Sequence, residues 1–365
     1  MPETKPPRVL YLHIGAQKTG NATLQNLFMR NRELLAKHDL CYPAAPGEAN
    51  HACLVHYALG HDKNLSLRSR IGLPDGEELE AFIASLMPRL QAEIEQSGCS
   101  KILLSNGDLS GHITTAEDAQ RLVDGLRQIC PDIRLVIYLR PQYELVLSAY
   151  SQAVKSGSAE TMRVELDEDT RFCNYDIMLS LWEKVLGIEN IQVRLFRREE
   201  FAEGSLIADF FRTIGMEVPE GLELPGTLNP SLDAYTLEFV RMANATKPRH
   251  DGVDTGSWLP QLMSALERIS AGPKYIAASQ ELAELDRTFQ ASNEKVARRY
   301  FPERDGVLFQ PFNEVDRPSS LPLTARKVVE LTVALWQEAI ERDIRKKQRR
   351  PRAADRVRKR GRKAE

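Results

Sequence analysis

A buried strand that turns directly into a helix is the feature of this sequence that most limits its fold. Residues 8–25 read RVLYLHIGAQKTGNATLQ, an apolar run followed by a Lys-Thr-Gly turn and then by a helical pattern. The backbone N–H groups of such a turn and the positive end of the helix point toward one place, where a phosphate can bind beside Lys18 and the Thr19 hydroxyl. The segment therefore predicts a phosphate-binding loop.

The order of residues in this loop argues against a nucleotide triphosphatase. A Walker A loop reads G-x-x-x-x-G-K-[ST], with a glycine directly before the lysine. Here Gly15 precedes Lys18 by three positions, and Gly20 follows it. The loop is therefore shorter than a Walker A loop and does not match its pattern.

A second junction of strand and helix lies at residues 134–155. An apolar and β-branched run over 134–139 is typical of a buried strand, Arg140-Pro141 ends it, and a helical pattern follows. Arg140 and Ser148 are eight residues apart, so one lies at the strand end and the other about two turns into the helix. A guanidinium and a hydroxyl in these places can bind the same anion.

Together these junctions resemble the sulfotransferase superfamily that uses 3′-phosphoadenosine-5′-phosphosulfate (PAPS), in particular its bacterial carbohydrate sulfotransferases. In that superfamily a K-[ST]-G-[ST]-[ST] loop after a strand holds the 5′-phosphosulfate, and an Arg followed eight residues later by Ser holds the 3′-phosphate. The chain departs from this pattern at Asn21 and Ala22, where hydroxyls are usual, and at Pro141, which follows Arg140 at once.

The resemblance implies transfer of a sulfuryl group from PAPS to a hydroxyl or amine acceptor, with a glycan as the expected acceptor. Lys18 is then expected to be catalytic, because it neutralises the bridging oxygen as the S–O bond breaks. The residues implied for PAPS binding are Lys18, Thr19, Gly20, Asn21 and Thr23 at the 5′-phosphate, and Arg140 and Ser148 at the 3′-phosphate. No metal is expected, since the sequence has no visible His/Asp metal cluster.

The base that takes the acceptor's proton is left open between two regions. Members of the superfamily place a His or Glu either after the first helix or at the end of the strand that precedes the 3′-phosphate site. The first region offers Glu48, His51 and His56, and the second offers Asp108. His51 is the first choice as a catalytic residue, because an unperturbed imidazole titrates close to neutral pH.

Alternating strand and helix patterns predict the α/β class, with a three-layer, P-loop-like fold around a central parallel sheet. The C-terminal half is expected to be largely helical, and one domain is expected over residues 1–345, with the helical elaboration from about 200. The predicted strands lie near 8–14, 101–105, 134–139 and 191–196, and the helices between them near 23–38, 77–96, 116–129 and 175–187.

The net charge of −2 conceals a basic segment: from Arg345 to Lys363 there are twelve Lys or Arg against one acid, Asp355. Residues 346–365 are predicted to be a disordered basic tail that can contact anionic lipid, nucleic acid or a polyanionic acceptor. The sequence has no apolar run long enough for a transmembrane segment and no apolar signal region, and its five cysteines are scattered. These features favour a cytoplasmic protein.

Two other functions fit parts of the sequence. The first is a P-loop nucleotide kinase, although that chemistry requires a glycine before the lysine. The second is a noncatalytic nucleotide-binding module on the same fold, which would suit Asn21, Ala22 and the lack of a glutamate after Ser105.

Overall fold

The computed structural model describes residues 7–60, 76–162, 173–225, 232–246, 258–270, 272, 279–311 and 323–349. In this part of the chain a parallel sheet has the strand order β2-β3-β1-β4-β5. Its strands are β1 (Val9–His13), β2 (Leu40–Cys41), β3 (Lys101–Ser105), β4 (Asp132–Leu139) and β5 (Ile191–Leu195). The predicted α/β class with a central parallel sheet is confirmed.

The helices around the strands include those predicted near 77–96, 116–129 and 175–187, whereas the one predicted over 23–38 is two helices. In chain order they are α1 (Asn21–Arg30), α2 (Arg32–Lys37), α3 (Cys53–Leu59), α4 (Gly76–Ser97), α5 (Leu109–His112), α6 (Ala116–Arg127), α7 (Gln142–Lys155), α8 (Tyr175–Leu186), α9 (Leu206–Thr213), α10 (Ala234–Thr246), α11 (Trp258–Ile269), α12 (Ser279–Tyr300) and α13 (Ala325–Arg349).

Successive side chains along each strand point to opposite sides of the sheet, so the strands contribute to two apolar layers, one on each side. In β1, Leu10 and Leu12 belong to one buried cluster, which includes Trp182 of α8, whereas Tyr11 belongs to the other, which includes Phe28 of α1. Since each face of a parallel sheet is covered by helices, the strands are buried on both sides and read as continuous apolar runs. The three-layer arrangement is thus confirmed.

The chain divides into two compact units. The first contains residues 1–146, 164–228 and 282–313 and holds the sheet; the second contains residues 147–163, 229–281 and 314–365. The second unit has its own apolar cluster, in which Leu237 and Val240 of α10 pack with Leu266 of α11. The single domain over residues 1–345 stays a prediction.

Two details of the fold differ from the sequence patterns. The helix predicted over 23–38 is broken at Asn31, whose side chain accepts from the N–H of Glu223 at 2.8 Å and donates to the carbonyl of Leu27 at 2.7 Å. Strand β2 is only two residues long, too short to show the apolar pattern by which a strand is recognised in a sequence. Helix α13 extends to Arg349, and the rest of the predicted basic tail lies outside the described residues.

Candidate functional site

The two predicted phosphate motifs meet at the carboxyl edge of the sheet. Strands β1 and β4 are parallel neighbours, with His13 paired to Val136, so the loop after β1 and Arg140 after β4 lie at the same edge. Arg140 Nη1 donates a hydrogen bond to the main-chain carbonyl of Lys18 at 2.7 Å. The structure therefore brings Lys18 and Arg140 together, as parallel pairing of their strands requires.

The loop after β1 leads directly into α1, and the N-terminus of this helix has no side-chain cap among the described residues. Gly20 is the N-cap residue, with φ of 80°, and no described side chain caps this end of α1. A Cβ at Gly20 would lie 2.5 Å from Leu206 Cδ2, so a larger residue would have to displace the Leu206 side chain and would also adopt a strained φ. Uncapped N–H groups and the helix dipole favour an anion here.

The backbone at Lys18 is in the left-handed region, with φ of 62°. A lysine at this φ costs about 1 kcal/mol or more relative to right-handed backbone, and such residues cluster at functional sites. The side chain is partly buried. Asp39, Glu203 and Asp305 share this backbone conformation, so the catalytic role of Lys18 stays a prediction.

Two of the predicted ligands instead hold the loop together. The hydroxyl of Thr19 is fully buried and donates to the carbonyl of Ala16 at 2.7 Å, and Asn21 Nδ2 donates to the same carbonyl at 2.9 Å. Thr19 Oγ1 and Asn21 Oδ1 are 3.3 Å apart. In this conformation the side chains of Thr19 and Asn21 are engaged within the loop, and their binding to a 5′-phosphate stays a prediction.

Asn21 also fills the space inside the loop. A Cβ at Gly15 would lie 2.6 Å from Asn21 Cγ, and a Cβ at Gly107 would lie 2.5 Å from Asn21 Nδ2. Gly15 has φ of 47°, which favours glycine independently. Asn21 thus takes the place of the usual hydroxyl by packing against two glycines. Thr23, also predicted to bind phosphate, lies partly buried in the first turn of α1.

Arg140 is held on several sides by protein groups. Its side chain is 15% exposed, its Nη2 contacts Glu144 Oε2 at 2.7 Å, and its guanidinium lies 5.5 Å from the ring centroid of Phe196. Its Nε is buried and has no hydrogen-bond partner among the described residues. The carbonyl of Arg140 accepts from the hydroxyl of Tyr175 at 2.7 Å. A carboxylate thus occupies part of the guanidinium that is predicted to bind an anion.

Ser148 lies on α7, the helix that begins two residues after Arg140, and its side chain is partly buried. Arg140 belongs to the first compact unit and Ser148 to the second. Their shared binding of a 3′-phosphate stays a prediction.

His51, the first choice for the general base, is fully buried. Its Nδ1 accepts the N–H of Ser105 at 3.0 Å, and its ring centroid is 4.4 Å from that of Tyr42. Burial lowers the pKa of His51 to about 3, so the imidazole is neutral near pH 7. The predicted role as base therefore requires a conformation in which the ring reaches an acceptor.

The other candidates for the base differ in exposure. The carboxylate of Glu48 is 80% exposed and pairs with Arg32 at 2.8 Å, whereas His56 is buried in α3. Asp108 is partly buried three residues beyond β3, and its carbonyl contacts His112 Nδ1 at 3.0 Å. Asp108 is therefore the candidate that combines partial exposure with a place at the carboxyl edge of the sheet.

Sequence reasoning missed a buried polar network beneath the loop. Ser105 Oγ lies 2.8 Å from His13 Nδ1 and accepts from Gln25 Nε2 at 3.2 Å. Burial lowers the pKa of His13 to about 3, which keeps this histidine neutral. The signal that could have found the network is Gln25, a polar residue on the buried face of α1 beside Leu24 and Phe28. The network ties β1, β3 and α1 together under the candidate site.

Within the described ranges, no group of three or more His, Cys, Asp or Glu side chains is placed to hold a metal ion. In the same ranges, no helix combines the length and apolar character that crossing a membrane requires.

Comparisons with known proteins find a relative of unknown role and a solved structure of similar fold. No protein-family model matches the chain. A relative from Archaeoglobus fulgidus, described as an uncharacterized protein, is 30% identical over 212 residues, which are 57% of this chain and 57% of the relative. A solved structure, the sulfotransferase from Alicyclobacillus acidocaldarius, is 14% identical with a TM-score of 0.43, over 82% of this chain and 99% of that one. At this identity and score, the likeness assigns no activity to the chain.

Proposed function

We propose that this protein is a sulfotransferase that moves a sulfuryl group from PAPS to a hydroxyl or amine acceptor. The observation that carries the proposal is the hydrogen bond from Arg140 to the carbonyl of Lys18 at the carboxyl ends of adjacent parallel strands. Two predicted anion-binding motifs so close together suit a ligand with phosphate groups at the 5′ and 3′ positions of one ribose. PAPS is such a ligand.

At the 5′ end, the open N-terminus of α1 and the backbone of the loop bind the phosphosulfate. Negative charge builds on the leaving phosphate oxygen as the sulfuryl group departs. Lys18 stabilises that charge, because an ammonium at this oxygen interacts more strongly with the transition state than with the ground state. The side chains of Thr19 and Asn21 keep the loop in shape through Ala16.

At the 3′ end, Arg140 binds the 3′-phosphate, and the part expected of Ser148 rests on the sequence pattern alone. Glu144 now contacts the Arg140 guanidinium at 2.7 Å, so the phosphate has to compete with a carboxylate for these N–H groups. A dianionic phosphate competes well, since it offers three oxygens and more charge. A nucleotide without a 3′-phosphate leaves the ion pair of Arg140 and Glu144 intact and gains no contact from Arg140. The site therefore favours PAPS over ATP.

The acceptor class is proposed as a glycan by the resemblance to carbohydrate sulfotransferases. An acceptor hydroxyl must lose a proton as it attacks, so a base lies within reach of it. Asp108 and His51 are the two candidates. The partial exposure of Asp108 favours it in the conformation described here.

The donor site is tested by calorimetry with adenosine 3′,5′-bisphosphate and ADP. We expect the bisphosphate to bind at least about thirtyfold more tightly, because a charge-assisted bidentate contact contributes about 2 to 3 kcal/mol. A P-loop nucleotide kinase would prefer ADP. Equal affinities for the two nucleotides would contradict the proposal.

Turnover is tested separately with labelled PAPS and a panel of oligosaccharide, phenol and amine acceptors. The engagement of Thr19 and Asn21 inside the loop favours one alternative, a noncatalytic module that binds the nucleotide. That alternative predicts tight binding of the bisphosphate without sulfated product from any acceptor. Sulfated product in one acceptor class supports the enzyme and names its substrate.

A further inference from the structure

Helix α13 carries an exposed apolar stripe. Its five members recur at intervals of four, three, four and four residues, which places them on one side of the helix. Each side chain is between 49% and 70% exposed: Val329, Val333, Trp336, Ile340 and Ile344. The stripe runs over sixteen residues, from Val329 to Ile344, or about 22 Å at the rise of an α-helix. A continuous stripe of this kind marks an interaction surface, unlike a single exposed apolar residue.

The opposite side of α13 packs against other residues of its own compact unit. Leu331 is only 6% exposed, Leu335 packs against the apolar cluster of the unit, and Glu338 pairs with Arg268 at 2.7 Å. These residues repeat at intervals of four and three, half a turn away from the stripe. The helix is therefore fixed by one side and presents the stripe on the other.

A strong positive charge follows the stripe directly. Between residues 325 and 344 the helix is nearly neutral, with three Lys or Arg and four acids. The next segment, residues 345–363, contains twelve Lys or Arg and one acid. The apolar stripe and the basic segment are thus adjacent in the sequence, and a partner should match both.

Most classes of partner match either the apolar stripe or the basic segment, but not both. Nucleic acid and polyanionic glycans supply negative charge and can stack on a tryptophan, but they offer no continuous aliphatic surface for the Val and Ile side chains of the stripe. A second copy of the chain could cover the stripe, but a parallel helix pair would bring two basic segments together. An antiparallel pair would bring each segment toward Arg326 and Lys327 of the other copy. Repulsion opposes both arrangements.

An anionic membrane surface matches both features. We propose that α13 lies on such a surface, with the stripe at the boundary between headgroups and acyl chains, and that the positive charge of residues 345–363 strengthens the attraction to anionic lipid. Amphipathic helices bind in this way through apolar area and attraction to anionic lipid, and tryptophan favours this depth. The proposal stands apart from the sulfotransfer activity, since it uses none of the residues around Lys18 and Arg140.

The experiment measures partition of the full chain onto vesicles of phosphatidylcholine and onto vesicles in which about a third of the lipid is phosphatidylglycerol. We expect at least about tenfold stronger partition onto the anionic vesicles, weakened by salt. The double variant Trp336→Ser/Ile340→Ser should lose at least about tenfold. Both side chains are exposed, so the fold should tolerate the change.

A matched control removes equally exposed apolar side chains elsewhere. Ile177 and Leu224 are 63% and 65% exposed, and the variant Ile177→Ser/Leu224→Ser should bind vesicles within about twofold of the unmodified chain. A charge variant, Arg350→Gln/Arg352→Gln/Arg356→Gln/Arg358→Gln, should lose at least about tenfold on anionic vesicles only. Brominated lipid should quench the chain's fluorescence, and Trp336→Phe should remove that quenching.

Three results would overturn the proposal. One is absence of binding to anionic vesicles. Another is binding that the charge variant abolishes while the Trp336→Ser/Ile340→Ser variant leaves it unchanged, which would make the stripe irrelevant to the membrane. The third is a dimer in sedimentation that this double variant dissociates while vesicles fail to bind, which would assign the stripe to a second copy.

Discussion

Arg140 donates a hydrogen bond from Nη1 to the main-chain carbonyl of Lys18 at 2.7 Å. Lys18 has a left-handed backbone, and this bond helps to hold the loop in that conformation. The same guanidinium contacts Glu144 at 2.7 Å. The residue predicted to bind the 3′-phosphate is therefore also a support for the loop predicted to bind the 5′-phosphate.

Lys18→Ala should lower turnover far more than it weakens nucleotide binding. The lysine is proposed to act where charge develops in the transition state, so its loss affects kcat more than ground-state affinity. We expect kcat to fall by about a hundredfold or more, with less than about tenfold change in the Kd for adenosine 3′,5′-bisphosphate. Single-turnover kinetics and calorimetry measure the two quantities. Equal losses in both would show that the lysine contributes only binding.

Arg140→Lys should mainly raise the KM for PAPS. The substitution keeps the positive charge but loses the planar fork that can hold the Lys18 carbonyl and a phosphate together. We expect an increase of about tenfold or more in KM with a smaller change in kcat. The affinity for adenosine 3′,5′-bisphosphate should fall in parallel, while the affinity for ADP should change little. A variant that lost affinity for both nucleotides equally would instead place Arg140 at the 5′-phosphate.

Glu144→Gln should strengthen binding of adenosine 3′,5′-bisphosphate. The carboxylate competes with the phosphate for Arg140, and an ion pair with this partial exposure contributes up to about 1 kcal/mol. We therefore expect about threefold to fivefold tighter binding, measured by calorimetry. Glu294→Gln is the matched control, since Glu294 makes a similar pair with Arg298 at 2.7 Å on the exposed side of α12. Unchanged affinity in Glu144→Gln would mean that the phosphate binds without displacing the carboxylate.

Much of the fold was readable because its strands are continuous apolar runs. Strand β3 was predicted over 101–105 and lies at Lys101–Ser105, and the helix predicted over 142–155 lies at Gln142–Lys155. Parallel pairing then places the ends of β1 and β4 together, so the meeting of Lys18 and Arg140 could be anticipated. The break at Asn31 could not, because it depends on hydrogen bonds to Glu223, far away in the chain.

The details of the site were harder to predict for a similar reason. Whether His51 is exposed depends on Tyr42 and Ser105, which approach it only in the folded chain. The engagement of Thr19 and Asn21 with Ala16 follows from the turn of the loop and cannot be read from residue type. Residue types thus indicated the chemistry, while tertiary contacts decide which side chains face a ligand.

Stability should fall as the pH drops below the ordinary pKa of histidine. Burial lowers the pKa of His13 and His51 from 6.5 to about 3, so between these values the unfolded chain binds more protons than the folded one. Their contribution is complete above pH 6.5 and is lost as the pH falls. From pH 7 to 5 each histidine should cost about 2 kcal/mol of unfolding free energy. Urea unfolding across this range measures the slope.

Single variants separate this effect from the titration of carboxylates. The slope of the unfolding free energy against pH measures how many more protons the unfolded chain binds than the folded one. Between pH 5 and 6, His51→Gln should lower that number by about one, although it also lowers stability at pH 7. His38→Gln is the control, since His38 is exposed and its imidazole stays in water on folding. If His51→Gln and His38→Gln had the same slope as the unmodified chain, the buried histidines would not be the source.

Gly15→Ala should destabilise the loop through a clash with Asn21. The added Cβ would lie 2.6 Å from Asn21 Cγ, and the φ of 47° adds the cost of a left-handed alanine. Gly215→Ala isolates that second cost, because Gly215 has φ of 66° and a Cβ there meets nothing within 4 Å. We expect about 1 kcal/mol from Gly215→Ala and at least about 2 kcal/mol from Gly15→Ala in urea unfolding.

A double-mutant cycle tests whether Asn21 is the cause of the larger loss. Asn21→Ala alone removes a hydrogen bond to Ala16 and should cost about 1 kcal/mol. In the double variant Gly15→Ala/Asn21→Ala the clash is gone, so its cost should be smaller than the sum of the two single costs by about 1 kcal/mol or more. Additive costs would show that Gly15 is required for its backbone conformation alone. The packing of Asn21 between Gly15 and Gly107 would then not be what holds this loop in shape.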